Sequence, residues 1–320
     1  MNRCRLTLII PTYHRQRELT DCLASVLRQT RKPEELIVVD DGNLPELPLQ
    51  QELEVAGLST RMVRKQTPGL TESRNLGLSL ATGEIIGFLD DDVILEERCL
   101  EELLRVFEED SEGRIGGVGG HITNRPAFTW KRRLRRLAES LFLLSGLREG
   151  RMRPSGFCVD FGDAAPLTEA RAEVDFLPGA AFAFRRTVFE RCRFTPGYRK
   201  LAFGEDKDFC QQVARHHGLI LATAARLQHL EAAAMRPDKE REGRMFVMGR
   251  YLFFRRFLAL TPAHWLFFGY AMFAYTLMRL TAFLLKPGRG KWSRLKGVFA
   301  AYGDILAGRV VVPFQDSNRR

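Results

Sequence analysis

Three consecutive acids, Asp90-Asp91-Asp92, close the apolar run Glu84-Ile-Ile-Gly-Phe-Leu89. In an extended chain, Asp90 and Asp92 fall on one side about 6 to 7 Å apart, where they can share a hard divalent cation such as Mg²⁺ or Mn²⁺ that also takes phosphate oxygens. Taken alone, the triplet also suits an exposed acidic turn. A second pair, Asp40-Asp41, follows the apolar run Leu36-Ile-Val-Val39, and a third cluster, Glu205-Asp206-Lys207-Asp208, lies far downstream. Crowded carboxyls of this kind can raise the pKa of one member towards the range useful for accepting a proton.

Such groups need elements to position them. Leu6-Thr-Leu-Ile-Ile10, closed by Pro11, suits a strand buried on both faces, and Leu19, Leu23, Val26 and Leu27 then recur at helical spacing. Leu36 to Val39 reads as a second strand, Arg61 to Lys65 as a short third and Glu84 to Leu89 as a fourth, with Thr71 predicted to cap a helix through Leu80. Val174 to Phe184 is predicted as two strands joined at a Pro178-Gly179 turn, and Phe203 to Asp208 opens a helix through His216. Alternation of strand and helix implies an α/β fold with a mostly parallel, Rossmann-like central sheet and right-handed crossovers. Ligands bind such sheets just outside the carboxyl ends of the strands, where two of the acidic clusters fall. Like charges at a sheet edge are unfavourable unless a cation or a donor-rich ligand relieves them.

Six segments in order, Ile9-Ile-Pro-Thr-Tyr13, Val38-Val-Asp-Asp-Gly42, Gly69-Leu-Thr-Glu-Ser-Arg-Asn-Leu-Gly77, Asp90-Asp-Asp92, Pro178-Gly-Ala-Ala181 and Gly204-Glu-Asp-Lys-Asp208, resemble the motif series of the family-2 glycosyltransferases, enzymes of the GT-A fold. The resemblance runs from Leu6 to about His229. It implies an inverting, metal-dependent transfer from a nucleotide-diphosphate sugar. Pro11, Thr12 and Asp41 then stand where the family holds the nucleotide base, and a carboxylate suits a base's N–H edge; Asp40 is equally suited to capping its turn. Arg74 and Asn75, expected in the first turn of their helix, would face the nucleotide or its phosphates. Asp90 and Asp92 correspond to the Asp-x-Asp pair, with Asp92 in direct metal contact and Asp91 aimed at the donor ribose or sugar. His229 stands where related enzymes often carry a histidine on the metal or phosphate. Asp206 resembles the base that takes the acceptor's proton, with Glu205 and Asp208 as neighbours that could do the same. Asn43 replaces the family's usual serine, and His216 stands where processive synthases carry tryptophan, so transfer of a single sugar is expected.

The rest of the 320-residue chain sets the context. With 45% hydrophobic and 28% charged residues it can bury a large core, which excludes collagen-like and disordered classes. Six scattered cysteines without a Cys-x-x-Cys pair indicate reduced thiols rather than a zinc or disulfide framework, and the short Leu6–Ile10 run is not expected to act as a signal peptide. Of the net charge of +10, residues 244–320 carry thirteen Lys and Arg against two acids, so the preceding part is near neutral. Two domains are expected: a GT-A domain over 1–235 and a basic, apolar, helical extension over 236–320. His264 to Leu285 could lie in the membrane plane or re-enter, the arrangement favoured by cations on both its flanks, or else span a bilayer of about 30 Å or serve as a core helix. Trp130-Lys-Arg-Arg-Leu-Arg-Arg136 suits either a solvated face or a membrane-surface helix. A peripheral or single-span enzyme at the cytoplasmic membrane face, acting on a lipid-linked or cell-envelope glycan, fits these features. Nucleic acid is not an expected partner, because the basic segments are interleaved with aliphatic runs rather than a stacking platform. Two other readings are a non-catalytic membrane or polyanion adaptor on a degenerate transferase fold, and a haloacid-dehalogenase-type phosphatase with Asp90 as nucleophile. The second is disfavoured because two strand-helix units precede that strand.

Overall fold

The computed structural model describes residues 3–125, 129–161, 168–198, 203–231 and 238–310. The chain forms two compact units, one of Met1–Ala127, Pro166–Phe194 and Asp206–Ala234, the other of Phe128–Ala165, Thr195–Glu205 and Met235–Arg320. The expected domain boundary at residue 235 lies outside the described residues.

In the first unit, strands β1 (Leu6–Thr12), β2 (Glu35–Asp40), β3 (Ser59–Arg64) and β4 (Ile85–Leu89) pair in parallel in the spatial order β3-β2-β1-β4. Helices α1 (Gln16–Leu27), α2 (Gln50–Val55) and α3 (Leu70–Leu80) alternate with them along the chain. Strands β1, β2 and β4 are buried throughout, which is why they read as unbroken apolar runs, whereas β3 at the edge is exposed or half-buried. Parallel pairing with helical crossovers puts the ends of β1, β2 and β4, at Thr12, Asp40 and Leu89, on one side of the sheet. Pro11 falls where β1 still pairs with β2 but has run past its register with β4, so its missing N–H breaks no ladder on that side.

Beyond β4 the chain continues through β5 (Val93–Leu95), α4 (Cys99–Glu109), β6 (Ile115–Ile122), α5 (Trp130–Leu141), β7 (Arg171–Glu173), β8 (Ala181–Arg185), α6 (Glu205–Val213) and β9 (Gly218–His229). Here the sheet is mixed. Strand β8 inserts antiparallel between β4 and β6, and β9 runs parallel to β6 and antiparallel to β5 and β7. The hairpin predicted over Val174–Phe184 therefore does not form. Ala181-Phe-Ala-Phe184 is apolar on both faces and buries both by entering the sheet interior, leaving β7 to pair with β9. Phe182, Phe184, Phe194 and Phe209 pack ring on ring beneath this half of the sheet.

Helix α3 starts two residues earlier than predicted, with Gly69 at its cap, while Thr71 lies inside the first turn and its hydroxyl donates to Glu72 at 2.9 Å. This helix presses on β1. A Cβ added at Gly77 would lie 2.5 Å from Cγ2 of the buried Ile9.

The second unit contains α5, α7 (Lys239–Phe257), α8 (Pro262–Leu285) and α9 (Arg289–Leu306). Helices α7, α8 and α9 share an apolar core that includes Val247, Phe254, Phe268, Ala271, Met272 and Val298. Helix α8 buries only that face; Leu266, Phe273, Leu277, Leu284 and Leu285 point outward, and among the described residues it is the one helix long and apolar enough to cross a membrane. Helix α5 buries none of its residues. It shows a stripe of Trp130, Leu134, Leu137 and Leu141 among five cations, and the Tyr270 hydroxyl of α8 donates to the Leu141 carbonyl at 3.2 Å. All six cysteines are free thiols, five of them buried.

The contact between α3 and β1 predicts the effect of Gly77→Ala. Replacing a helical glycine with alanine should favour the helix by about 1 kcal/mol, but forcing a methyl against Ile9 should cost about 1–3 kcal/mol. Chemical denaturation is therefore expected to show a net loss of stability, and a stabilised variant would contradict the close packing.

Candidate active site

Parallel strand ends and the turn after β4 gather the acids. Asp90 leaves β4 with its N–H donating to the Ala180 carbonyl at 2.9 Å, so the chain ahead of β8 is tied to the acidic turn. Asp91 and Asp92 occupy the turn between β4 and β5 rather than an extended strand. Strand β5 pairs Val93 with His229, the last residue of β9, and the Leu230 N–H donates to the Asp92 carbonyl at 2.9 Å. That pairing brings His229 Nε2 to 3.1 Å from Asp92 Oδ1. One ligand atom from each of Asp90, Asp92 and His229 lies within 4.8 Å of the others.

Asp91 turns another way. Its Oδ2 accepts from the Thr12 hydroxyl at 2.7 Å and its Oδ1 from Arg15 Nη1 at 3.0 Å, and the same Arg15 nitrogen reaches Asp92 Oδ2 at 3.3 Å. Arg74, almost wholly buried, lies in the second turn of α3 rather than the expected first. Its Nη2 donates to Asp90 Oδ1 and to the Gly179 carbonyl, both at 3.1 Å, and its guanidinium lies 5.1 Å and 5.3 Å from the ring centres of Phe182 and Phe194. Burying an arginine is unfavourable without such partners, and removing one side of a buried ion pair costs about 3–5 kcal/mol. Asn75 is committed elsewhere: its amide donates to the Phe194 carbonyl at 2.7 Å and accepts from the Phe194 N–H at 3.2 Å.

The two acids after β2 divide their work. Asp40 caps the turn, accepting from the Gly42 and Leu44 N–H groups at 2.8 and 2.9 Å. Asp41 reaches the start of α3, accepting from the Gly69 N–H and the Ser73 hydroxyl at 2.7 Å each and pairing with Lys65 at 3.1 Å. Its own N–H donates to the Thr12 carbonyl at 2.9 Å, so Thr12 touches both acidic groups. Asp206, in the first turn of α6, accepts from the Lys207 N–H at 2.8 Å through Oδ1. Its Oδ2 lies by Gly179, where an added Cβ would come within 3.3 Å of it and 3.0 Å of the Asp206 Cβ. Asp208 is fully buried and bonds Gln212 at 2.9 Å.

Hydrogen bonds thus link Thr12, Asp91, Arg15, Asp92 and His229, and the Arg74–Asp90 pair beside them leads through the Gly179 segment to Asp206. Sequence reasoning missed Arg15, Lys65 and the Gly179 carbonyl. A cation three residues beyond the end of β1 was the one signal available for Arg15; nothing in the residue types marks a carbonyl.

Burial and neighbouring charge together set the electrostatics. Burial raises the Asp90 carboxyl above its ordinary pKa, against the pull of Arg74, and raises Asp91 to about 6 despite Thr12 and Arg15. Burial lowers the His229 pKa, but its hydrogen bond to Asp92 and the charges of Asp90 and Asp92 outweigh this and leave the imidazole above its usual value. Two carboxylates and an imidazole within one small space form a donor set suited to a hard or borderline divalent cation.

Three comparisons bear on this arrangement. The model of the family described as glycosyl transferase family 2 matches residues 7–192, more than half of the chain. An uncharacterized glycosyltransferase of Rickettsia conorii is 30% identical over 111 residues, covering 35% of this chain and 18% of the relative. The poly(ribitol-phosphate) beta-N-acetylglucosaminyltransferase TarP of Staphylococcus aureus is 32% identical over 120 residues, covering 36% of this chain and 37% of that one. The chain thus spans well under half the length of these relatives. Among solved structures, the mannosyltransferase PcManGT of Pyrobaculum calidifontis in complex with GDP-Man and Mn²⁺ superposes with a TM-score of 0.55 at 18% identity, over 97% of this chain and 89% of that one.

Protons and a cation compete for His229 and Asp90, so metal binding should strengthen as pH rises through the raised His229 pKa. Mn²⁺ is expected to lift the melting temperature of the protein clearly at about pH 7.5 and little at about pH 5.5, a range set by the ordinary histidine pKa of about 6.5. Equal shifts at both values would show that these groups do not hold the ion.

Proposed function

The chain belongs to glycosyl transferase family 2, and from that premise we propose that it moves one sugar, with inversion, from a nucleotide-diphosphate sugar to a lipid-linked or cell-envelope glycan at the cytoplasmic face of the membrane. It is a glycosyltransferase of the GT-A fold. The catalytic domain is taken as residues 1–235 and the extension as 236–320.

The observation that carries this reading is the sharing of one arginine. Arg74 Nη2 contacts both Asp90, in the acidic turn, and the Gly179 carbonyl, beside Asp206. A transfer needs a donor side and an acceptor side at fixed separation. Asp90, Asp92 and His229 hold Mn²⁺ or Mg²⁺, which when bound offsets the charge that develops on the departing diphosphate. Pro11, Thr12 and Asp41 hold the base; Asp41 Oδ2, which accepts from the Gly69 N–H, retains a lone pair for a base N–H. Asp91 faces the donor ribose or sugar, with Thr12 and Arg15 fixing its rotamer. Asn75 acts as a positioning residue by fastening Phe194, whose ring lies by Arg74. Asp206 accepts the proton of the attacking hydroxyl while the nucleotide leaves from the opposite face of the sugar.

The second, helical unit supports the membrane part of the proposal. The outward stripe of α5 lies among Lys131, Arg132, Arg133, Arg135 and Arg136, and the apolar outer face of α8 adjoins its end at Leu141. Apolar stripes flanked by cations match an anionic bilayer surface.

Two variants separate the roles. Asp92→Asn should abolish the Mn²⁺-dependent thermal shift and the activity together. Asp206→Asn should keep the shift produced by Mn²⁺ and donor while turnover falls by about a hundredfold or more, the scale of general-base catalysis. Wild-type turnover in Asp206→Asn would remove this residue from the mechanism. Gly179→Ala, which crowds Asp206 without touching the metal ligands, should lower turnover and leave the Mn²⁺ shift intact.

A further inference from the structure

Helices α7, α8 and α9 enclose a cavity of about 300 Å³ lined by Lys239, Arg279, Ala282, Gly290, Lys291 and Arg294. Four cations meet there. Arg279 is the one arginine or lysine in the largely apolar α8, and it lies over the Tyr275 ring at 5.0 Å. Among the described residues it makes no hydrogen bond or ion pair. Lys291 donates to the Ala282 and Lys286 carbonyls at 2.7 and 2.9 Å, which pins the turn between α8 and α9. A single carboxylate, Glu242, serves two of the cations, taking Lys239 at 2.8 Å and Arg294 at 2.7 Å. Arg294 Nε is shielded from solvent and has no hydrogen-bond partner among the described residues. Converging like charges with one counter-charge are unfavourable unless an anion completes the set.

The rim indicates where that anion comes from. Leu284, Leu285 and Trp292 are exposed at the same α8–α9 turn, with Trp292 packed 5.5 Å from the Phe283 ring. A free anion in water gains nothing from exposed leucines, whereas a lipid presents phosphate and acyl chain together, and tryptophan favours that boundary. The linear apolar face of α8 leads up to this turn. We infer that the cavity binds the phosphate of an anionic membrane phospholipid headgroup, with Arg279 and Arg294 as its donors and Leu284, Leu285 and Trp292 seated among the acyl chains. Guanidinium groups suit phosphate oxygens through paired N–H donors. The inference rests on the membrane-surface part of the proposed function and names the lipid contact that it requires.

The test is co-sedimentation of the full chain with vesicles made from equal parts phosphatidylglycerol and phosphatidylcholine, against phosphatidylcholine alone. Lys296, which pairs with Glu240 at 2.9 Å and does not line the cavity, supplies the charge-matched control Lys296→Gln. Any one cation near an anionic surface contributes on the order of a fivefold gain in binding. Arg279→Gln should weaken binding to the phosphatidylglycerol vesicles several-fold more than Lys296→Gln, while Glu242→Gln, which removes the cavity's counter-charge, should strengthen it. Neither Arg279→Gln nor Glu242→Gln is expected to change binding to phosphatidylcholine. Equal losses in Arg279→Gln and Lys296→Gln, or weakening in Glu242→Gln, would overturn the site while leaving membrane association standing. Failure of the wild-type chain to bind either vesicle would overturn both. Inorganic phosphate that protects the wild type against heat as well as the vesicles do would assign the cavity to a free anion and overturn the lipid contact.

Discussion

Carboxylates gathered at one end of a parallel sheet repel one another, and the architecture depends on the positive charge placed among them. Arg74 is the deepest of these charges. It is buried beneath Asp90, flanked by Phe182 and Phe194, and held by the Gly179 carbonyl. Arg15 does the same at the rim, bridging Asp91 and Asp92. In the low-dielectric interior such pairs are strong but costly to desolvate, so they are tolerable only where every partner is fixed in place. Much of the surrounding packing serves that end: Asn75 fastens Phe194, Gly77 lets α3 press on β1, and Phe194, stacked on Phe209, lies against the guanidinium.

The residual imbalance is as informative as the pairing. Burial raises the Asp90 and Asp91 carboxyls against the pull of Arg74 and Arg15, while Asp92 and Asp90 raise His229 against its own burial. A donor set that holds protons in this way would release them on binding a divalent cation. One arginine, Arg74, bonds both Asp90 and the Gly179 carbonyl of the segment beside Asp206.

The helical unit follows different physics. Its core is ordinary apolar packing among α7, α8 and α9, but the outer faces of α5 and α8 bear leucines and aromatic rings that water alone would not favour. Cations rim those faces, and a cavity at the α8–α9 turn concentrates four more. An interfacial environment reconciles both features, because it accepts apolar side chains and basic ones at the same depth.

Much of the fold was legible in the chain because it depends on local pattern. Unbroken apolar runs marked β1, β2 and β4, and helical spacing marked α1; the acids at the strand ends followed from where those runs stop. Val174 to Phe184 misled, since a Pro-Gly turn between apolar stretches looks local, yet both faces of β8 needed burial and the sheet interior could supply it. The motif order pointed to Asp90, Asp92, Asp206 and His229 as residues of interest. It could not bring His229 within 3.1 Å of Asp92 across 137 positions, turn Asp91 towards Thr12 and Arg15, or commit Asn75 to Phe194. Residue types and their periodicity alone determined the strands, the helices and the supply of acids and bases. Tertiary structure alone decided which charges meet, because a buried charge takes its partners from whatever side chain or carbonyl the packing brings within hydrogen-bond reach, irrespective of distance along the chain.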